Sequence, residues 1–492
     1  MMTHAPILQV VLPLMAAPIC FISSRFLRFN WIFACAISWI GLFFSITLFQ
    51  QAQEEAIIYE LGGWAAPWGI VYVIDRLNAF VLVIISAIAA IVFPYSLCSI
   101  ESEINPQQRG LYFTCMLLCL AGLLGIAITG DAFNLFVLLE VSSLSTYTLI
   151  AMGQDRRALA SSFQYLMMGT IGATFILIGV GFLYSLTGTL NMADLADRIP
   201  ALHDTRTLKV AYSFLIVGIG LKLAMFPLHL WLPNAYAYAP SAVTVFLAST
   251  ATKVAIYMLL RFLFFIFGAK FSFELLNTQW FLVGLGLIAM LVASIVAVFQ
   301  RNIKRMLAYS SVAQVGYILL GIGLLNVNGL TAALLHIFNH ALIKGALFMA
   351  LGAICFRVGH AELKNIAGIG KMMPWTMAAF VAGGISLIGI PFSVGFISKW
   401  YLILAAIERG WWPIVIIISI CSIIAVMYIW RVIEAAYFRP PASPGIKYRE
   451  APLQLLIPTW ILVILNFFFG TSATLTSEYA INIAEFLLGS GL

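Results

Sequence analysis

Three side chains of one apolar segment carry groups that can pass protons. His336, His340 and Lys344 are spaced four residues apart in Leu-His-Ile-Phe-Asn-His-Ala-Leu-Ile-Lys-Gly. In a helix this spacing places all three on one face, about 6 Å apart along the axis. Histidine exchanges protons near neutral pH, so the pattern predicts a proton relay. The alternatives are a zinc-binding histidine pair, although no HExxH glutamate accompanies it, and histidines that serve packing alone.

A second cluster combines a lysine in an apolar segment with a helix break. Lys222 stands in Leu-Lys-Leu-Ala-Met-Phe-Pro-Leu-His-Leu-Trp, where Pro227 cannot donate to the helix ladder. Backbone groups freed in a membrane need polar partners, so we expect a hydrated pocket there. Glu140, in Phe-Val-Leu-Leu-Glu-Val-Ser-Ser, is the carboxylate that we expect to pair with Lys222. His229 either lines the same break or forms an interfacial hydrogen bond.

Two further lysines extend the predicted relay. Lys253 lies in Ala-Thr-Lys-Val-Ala-Ile-Tyr, and Lys399 follows a second break around Pro391. A charge at the centre of a bilayer costs ~2.5–3.5 kcal/mol on insertion scales, so residues of this kind usually have a function. The alternative for both lysines is that the ammonium group snorkels to the interface.

The composition indicates that membrane helices position these side chains. The chain has 492 residues, 63% hydrophobic and only 9% charged, whereas a soluble domain has about 25% charged residues. The net charge is +7, but the basic residues lie in short loops between apolar runs, so the charge does not indicate binding to nucleic acid. The seven cysteines form no CxxC pair, so we expect no metal site. We expect the first apolar stretch to be a retained helix, because no basic region of a signal peptide precedes it.

The apolar runs predict an all-α polytopic membrane protein with about 14 transmembrane helices. The predicted spans, numbered 1 to 14 in chain order, are 5–23, 30–50, 76–100, 110–129, 132–152, 159–186, 209–231, 240–265, 278–299, 305–325, 328–355, 373–405, 412–437 and 452–472. An even number of spans places both termini on the same side of the membrane.

The distribution of lysines and arginines predicts on which side of the membrane the two termini lie. If the termini are outside, the inner loops and adjoining helix ends carry 15 of the 26 basic residues: Arg25, Arg28, Arg109, Arg156, Arg157, Arg301, Lys304, Arg305, Arg357, Lys364, Lys371, Arg431, Arg439, Lys447 and Arg449. The opposite side carries seven: Arg76, Arg198, Arg206, Lys209, Arg261, Lys270 and Arg409. The positive-inside rule therefore predicts that both termini lie on the outer, periplasmic face, and we expect the membrane to be the cell inner (plasma) membrane.

An internal repeat recurs at a separation of about 175 residues. Span 6 begins Ala-Ser-Ser-Phe-Gln-Tyr, span 11 begins Ala-Leu-Leu-His-Ile-Phe-Asn-His, and each precedes a proline-containing span with a lysine (399 − 222 = 177). The copies are five helices apart, so they insert with opposite topology, as in transporter folds. We predict two inverted five-helix repeats, spans 4–8 (106–270) and 9–13 (271–440), with spans 7 and 12 broken. The unit 1–105 contains spans 1–3, and the unit 441–492 contains span 14.

Several of these motifs resemble one known family. Glu140, Leu-Lys…Phe-Pro-Leu-His-Leu-Trp-Leu-Pro-Asn-Ala-Tyr, Thr-Lys-Val-Ala-Ile-Tyr, Lys-Arg-Met-Leu-Ala-Tyr-Ser-Ser-Val-Ala-Gln-Val-Gly-Tyr and the span 11 face resemble the proton-translocating membrane subunits of respiratory complex I and Mrp-type Na+/H+ antiporters. The resemblance covers about residues 75 to 405. It implies 14 core helices in two inverted repeats, with Glu140 and Lys222 as a coupled pair, Lys253 and span 11 as the central relay, and Lys399 at the outlet.

Within this family the chain is most similar to the D subunit of Mrp-type antiporters, because it has a lysine at position 399 and no long lateral helix after span 14. The third antiporter-like subunit of complex I shares these features, and membrane-bound hydrogenases contain relatives too. The resemblance implies a subunit of a hetero-oligomeric antiporter that exchanges Na+, or another monovalent cation, for protons. The alternative is a proton-pumping subunit of a complex I-type NADH dehydrogenase or a hydrogenase. Without a phosphate-binding loop or a cysteine cluster, we expect a transporter subunit with no cofactor, not an enzyme acting alone.

Overall fold

The computed structural model describes residues 4–441 and 448–489. Within them nearly all secondary structure is helical, and 12 helices are long and apolar enough to cross a membrane. Predicted spans 7 and 12 do not reach that length because each is interrupted, and they account for the difference from the predicted number. The fold is the predicted all-α polytopic membrane bundle.

The N-terminal part contains three long helices and one small sheet. The helices are α1 (Ala5–Ile22), α2 (Leu27–Gln51) and α3 (Arg76–Glu103). Between α2 and α3, strands β1 (Ile57–Glu60) and β2 (Val71–Ile74) form an antiparallel hairpin. The apolar runs did not predict this hairpin.

The remaining helices follow in chain order. They are α4 (Arg109–Ile128), α5 (Ala132–Ala151), α6 (Arg156–Thr187), α7 (Met192–Arg198), α8 (Arg206–Lys222), α9 (Trp231–Tyr238), α10 (Ser241–Ser249), α11 (Ala251–Leu260), α12 (Thr278–Phe299), α13 (Ile303–Gly323), α14 (Val327–Val358), α15 (Pro374–Ile388), α16 (Val394–Glu408), α17 (Trp412–Phe438), α18 (Leu453–Thr471) and α19 (Thr474–Gly489). Two π-helical turns, Arg261–Ile266 and Lys270–Leu275, follow α11. Helix α19 was not predicted.

The internal repeat is visible in helix lengths and in backbone pairing. Helices α6 and α14 are both 32 residues long, both end at a glycine in the left-handed conformation, and start 171 residues apart (327 − 156 = 171). Antiparallel bridges join Asp131 to Asn191 and Asn302 to Glu362, again 171 residues apart (302 − 131 = 171). The same helix lengths and loop pairings therefore recur close to the predicted period.

Some predictions concern features that the structure does not test. The unit boundaries 1–105, 106–270, 271–440 and 441–492 remain predictions, as does the orientation of the termini. Residues 442–447, including Lys447, lie outside the described residues.

Three interruptions shape the interior of the bundle. Helix α8 ends at Lys222 and α9 begins beyond Pro227, while Pro391 lies between α15 and α16. Both breaks confirm the proline-based prediction for spans 7 and 12. A third interruption separates α10 from α11 at Thr250, with φ −125° and ψ −57°. No proline marks it, so the sequence pattern did not reveal it.

Candidate proton-transfer site

Glu140 and Lys222 lie next to each other, on α5 and at the last residue of α8. Nζ of Lys222 is 3.7 Å from Oε1 of Glu140 and donates a 2.9 Å hydrogen bond to Oγ of Ser143. The lysine side chain is 4% exposed and the glutamate side chain 23% exposed. Because a charge in a membrane interior needs a partner, the carboxylate at this distance acts as the counter-ion of Lys222.

A small cavity separates this pair from α11, the helix that carries Lys253. Its volume is about 30 Å³, which is enough for a water molecule. Its lining includes Lys222, Ser142, Ser143, Thr146, Tyr165, Ala251 and Val254. Hydroxyl groups of α5 and α6 therefore face a space between Lys222 and α11.

The break at Pro227 is closed largely by aromatic side chains. The indole Nε1 of Trp231 donates a 2.9 Å hydrogen bond to the carbonyl of Leu221, so an indole adds a donor at the C-terminal end of α8. His229 lies inside the break, where its ring stacks on Phe226 with centroids 5.1 Å apart. Among the described residues, Nδ1 of His229 has no hydrogen-bond partner. His229 therefore lines the break without a hydrogen bond from that nitrogen.

Lys253 and Lys344 are fully buried and donate to backbone carbonyls. Nζ of Lys253 donates to the carbonyl of Ala248, beside the interruption between α10 and α11. Nζ of Lys344 donates a 2.8 Å hydrogen bond to the carbonyl of Leu307 and another to Oγ of Ser310, both on α13. Both lysines are 0% exposed, so the ammonium group of Lys253 does not snorkel.

A hydroxyl group at the end of α10 lies beside α14. Ser249 follows Ala248 in the chain, and a Cβ placed at Gly345 would be 3.2 Å from its Oγ. Gly345 in turn follows Lys344. Within the described part of the chain, Oγ of Ser249 is buried and has no hydrogen-bond partner. The end of α10 thus brings a polar group to the turn of α14 that carries Lys344.

His336 and His340 form a stacked pair on α14. Their ring centroids are 6.0 Å apart, with 11° between the ring planes. Nδ1 of His336 is 2.8 Å from Oγ of Ser398, and its Nε2 is 2.8 Å from Oε1 of Gln314. Neither ring nitrogen of His340 has a hydrogen-bond partner among the described residues. One imidazole is therefore held on both sides by hydrogen bonds, whereas the other is positioned by packing against it.

Lys399 bridges the break between α15 and α16. Its Nζ donates to the carbonyls of Ile388 at 2.7 Å and Leu387 at 3.2 Å, and to Oγ of Ser422 at 3.1 Å. A cation at the end of a helix also interacts favourably with the helix dipole. The ring of Tyr317 lies 5.2 Å from this Nζ, and its centroid is 5.7 Å from that of His336. One aromatic side chain therefore contacts both Lys399 and the histidine pair.

Three α13 residues that support the site were missed in the sequence. Ser310 accepts from Lys344, Gln314 contacts His336, and Tyr317 contacts both His336 and Lys399. Their spacing of four and three residues places them on one helix face. That spacing lies within Lys-Arg-Met-Leu-Ala-Tyr-Ser-Ser-Val-Ala-Gln-Val-Gly-Tyr and was the available signal.

Replacing Gln314 by Leu is expected to lower proton transport about tenfold. The change removes the partner of Nε2 on His336, and an unsatisfied buried polar group costs about 1–3 kcal/mol. Initial transport rates in membrane vesicles that contain the whole complex measure the effect. Gln107→Leu, at an exposed loop position, is the matched control. An unchanged rate in Gln314→Leu would mean that this contact does not matter for transport.

Residues 129–425 match the family described as NADH:quinone oxidoreductase/Mrp antiporter, transmembrane. The chain belongs to this family. Its similarity to individual members of the NADH:quinone oxidoreductase/Mrp antiporter family extends over almost the whole length. The N subunit of the NADH-quinone oxidoreductase of Desulforudis audaxviator is 41% identical over 482 residues, which cover 94% of each chain. The D subunit of the Na+/H+ antiporter of Bacillus subtilis is 31% identical, with 99% of this chain and 98% of the relative covered.

A solved structure agrees with this membership. A chain of the Mrp complex from Dietzia sp. superposes with a TM-score of 0.89 and is 26% identical, covering 99% of this chain and 97% of that chain. The family recognised from the motifs is therefore confirmed. Both branches considered from the sequence, the D subunit of Mrp antiporters and the complex I-type subunits, are represented among the relatives.

Proposed function

We propose that this chain is a proton-translocating subunit of a multisubunit Na+/H+ antiporter in the plasma membrane, with both termini outside. The observation that carries the proposal is the Glu140–Lys222 pair, 3.7 Å apart inside a bundle that also buries Lys253, Lys344 and Lys399. The D subunit of the Bacillus subtilis Na+/H+ antiporter and one chain of the Dietzia Mrp complex, each similar over almost its full length, support the antiporter assignment. The other subunits of such a complex are the expected partners.

The proposed relay starts at Lys222. A nearby carboxylate stabilises the ammonium form of this lysine, so separation of the pair favours release of the proton. The cavity next to Lys222 offers a route toward α11 and Lys253. From there the proposed route reaches α14 where the hydroxyl of Ser249 lies beside Gly345, and it continues to the neighbouring Lys344.

The second half of the proposed relay runs along α14. It passes from Lys344 through the stacked rings of His340 and His336 and reaches Lys399 beside Tyr317. Each group can hold or donate a proton, and a chain of such groups with intervening waters is the usual device for proton movement in membranes.

A second candidate function is a proton pump driven by the redox reaction of partner subunits. The observation that favours it is the 41% identity with the N subunit of a NADH-quinone oxidoreductase over 94% of both chains. The proposed relay would be the same. The driving force would come from electron transfer in a complex I-type or hydrogenase complex.

Inverted membrane vesicles that contain the whole complex separate the two candidates. With a preformed pH gradient, added Na+ is expected to dissipate the gradient without any electron donor if the complex is an antiporter. The host strain lacks its own antiporters, and vesicles without this chain are the control. Proton movement that requires an electron donor and ignores Na+ would overturn the antiporter proposal in favour of the redox-driven pump.

A further inference from the structure

Helix α10 is capped by side chains of a different helix. Its own N-cap residue, Pro240, supplies no side-chain hydrogen bond. The N–H of Ser241 instead donates to Oε2 of Glu103 at 2.8 Å, and the N–H of Ala242 donates to Oγ of Ser99 at 3.1 Å. The first N–H groups of a helix have no partner within the helix and need acceptors. Here both acceptors come from the C-terminal end of α3.

The far end of the same interrupted span is also held by α3. Arg261 opens the π-helical turn that continues α11, and its Nη1 is 2.6 Å from Oδ2 of Asp75. Asp75 is the N-cap residue of α3, where it accepts from the N–H groups of Leu77 and Asn78. The side chains of Arg261 and Asp75 are 7% and 18% exposed. A single helix outside both predicted repeats thus contacts the two ends of α10–α11 through two acidic residues.

The interruption makes these contacts important for Lys253. Helix α10 has nine residues, and so short a helix depends on tertiary contacts for its stability. Its penultimate residue is Ala248, whose carbonyl accepts from Nζ of Lys253. A shift of α10 along its axis would therefore move the acceptor that holds this ammonium group.

We propose that α3 holds the interrupted helix α10–α11 at both ends, and that Glu103 is a positioning residue for Lys253. The inference rests on the proposed role of Lys253 in proton transfer. Lys304 lies 3.6 Å from Oε2 of Glu103 and donates to the carbonyl of Ala239 at 3.2 Å, so it orients the carboxylate toward the start of α10. Glu103 and Lys304 line an open cavity of about 450 Å³.

The test compares two variants of Glu103 in the complete complex. Glu103→Ala removes the acceptor, whereas Glu103→Gln keeps an oxygen that can accept from Ser241. Loss of a helix cap corresponds to about a fivefold change in the equilibrium between the formed and the frayed helix end. Glu103→Ala is therefore expected to raise amide hydrogen exchange in residues 241–249 about fivefold and to lower proton transport by a similar factor. Glu103→Gln is expected to retain most of the protection from exchange and most of the proton transport. Glu101→Ala, at an exposed position on the same helix, should change neither measurement.

Several results would overturn the positioning role. If Glu103→Gln transports as poorly as Glu103→Ala while exchange in 241–249 stays normal, the carboxylate acts through its charge and not as a cap. If Glu103→Ala leaves both measurements unchanged, α3 does not position α10. Ser99→Ala tests the same cap without loss of a charge, since it removes the acceptor for Ala242 together with the hydrogen bond that Oγ of Ser99 donates to Oε1 of Glu103 at 2.9 Å; normal exchange in that variant also contradicts the proposal.

The Lys253→Met variant separates this inference from the proposed function. Normal transport in Lys253→Met would remove Lys253 from the relay whatever Glu103 does. If transport is lost in Lys253→Met and persists in Glu103→Ala, the relay stands and the positioning role alone fails.

Discussion

Replacing Glu140 by Gln is expected to reduce proton transport about 100-fold while the complex still assembles. The substitution keeps the size of the side chain and removes the counter-ion of Lys222, whose Nζ lies 3.7 Å away. A buried charge that loses its partner is destabilised by about 3 kcal/mol, which corresponds to about 100-fold in rate. The hydrogen bond from Lys222 to Ser143 remains, so the fold is expected to survive. Proton uptake by vesicles and native gel electrophoresis of the complex measure the two effects.

Glu485→Gln is the matched control for this experiment. Glu485 is exposed on α19, so the same loss of one carboxylate there should leave transport unchanged. Transport at the normal rate in Glu140→Gln, with normal assembly, would exclude the Glu140–Lys222 pair from the mechanism.

Replacing Lys399 by Met is expected to lower transport at least about 30-fold. The variant loses the ammonium group that bridges the α15–α16 break, and it leaves the carbonyls of Leu387 and Ile388 without this donor. Lost hydrogen bonds to a charged group amount to about 1.5–3 kcal/mol, and the proposed outlet loses its proton carrier. Lys399→Arg keeps a charge but cannot release a proton, so it is also expected to be inactive. Transport rates of the two variants are measured against Lys371→Met, at an exposed position.

The comparison between the two Lys399 variants separates two roles for this residue. If Lys399→Arg transports normally while Lys399→Met does not, the position needs a positive charge at the end of α15 and no proton transfer. Normal transport in both variants would remove Lys399 from the relay.

Much of the bundle could be predicted from local features of the chain. Apolar runs of sufficient length indicate where helices cross the membrane, and Pro227 and Pro391 mark two of the interruptions because proline cannot donate to the ladder. The interruption at Thr250 has no such marker. At this interruption the carbonyl of Ala248 accepts from Lys253 five residues later, and the start of α10 is capped by Glu103, 138 residues away in the chain.

The types of the relay residues follow from the sequence alone. Lysines in apolar segments and histidines four residues apart can be read directly, and the periodicity of a helix places His336 and His340 on one face. Their hydrogen-bond partners could not be read in this way. Gln314 and Ser398 approach His336 from α13 and α16, and which face of a neighbouring helix meets α14 depends on the rotation of each helix within the packed bundle.

Hydropathy, proline positions and helical periodicity act over a few residues, so they suffice to predict a membrane bundle with repeated, broken helices and basic residues within its apolar segments. Packing of the helices brings Oε1 of Glu140 to 3.7 Å from Nζ of Lys222, places the indole of Trp231 against the end of α8, and sets α3 against both ends of α10–α11. The Glu140–Lys222 pair and the contacts of α3 join residues far apart in the chain, and the Trp231 contact spans a helix break. Their geometry is fixed by how whole helices pack, which no local pattern records.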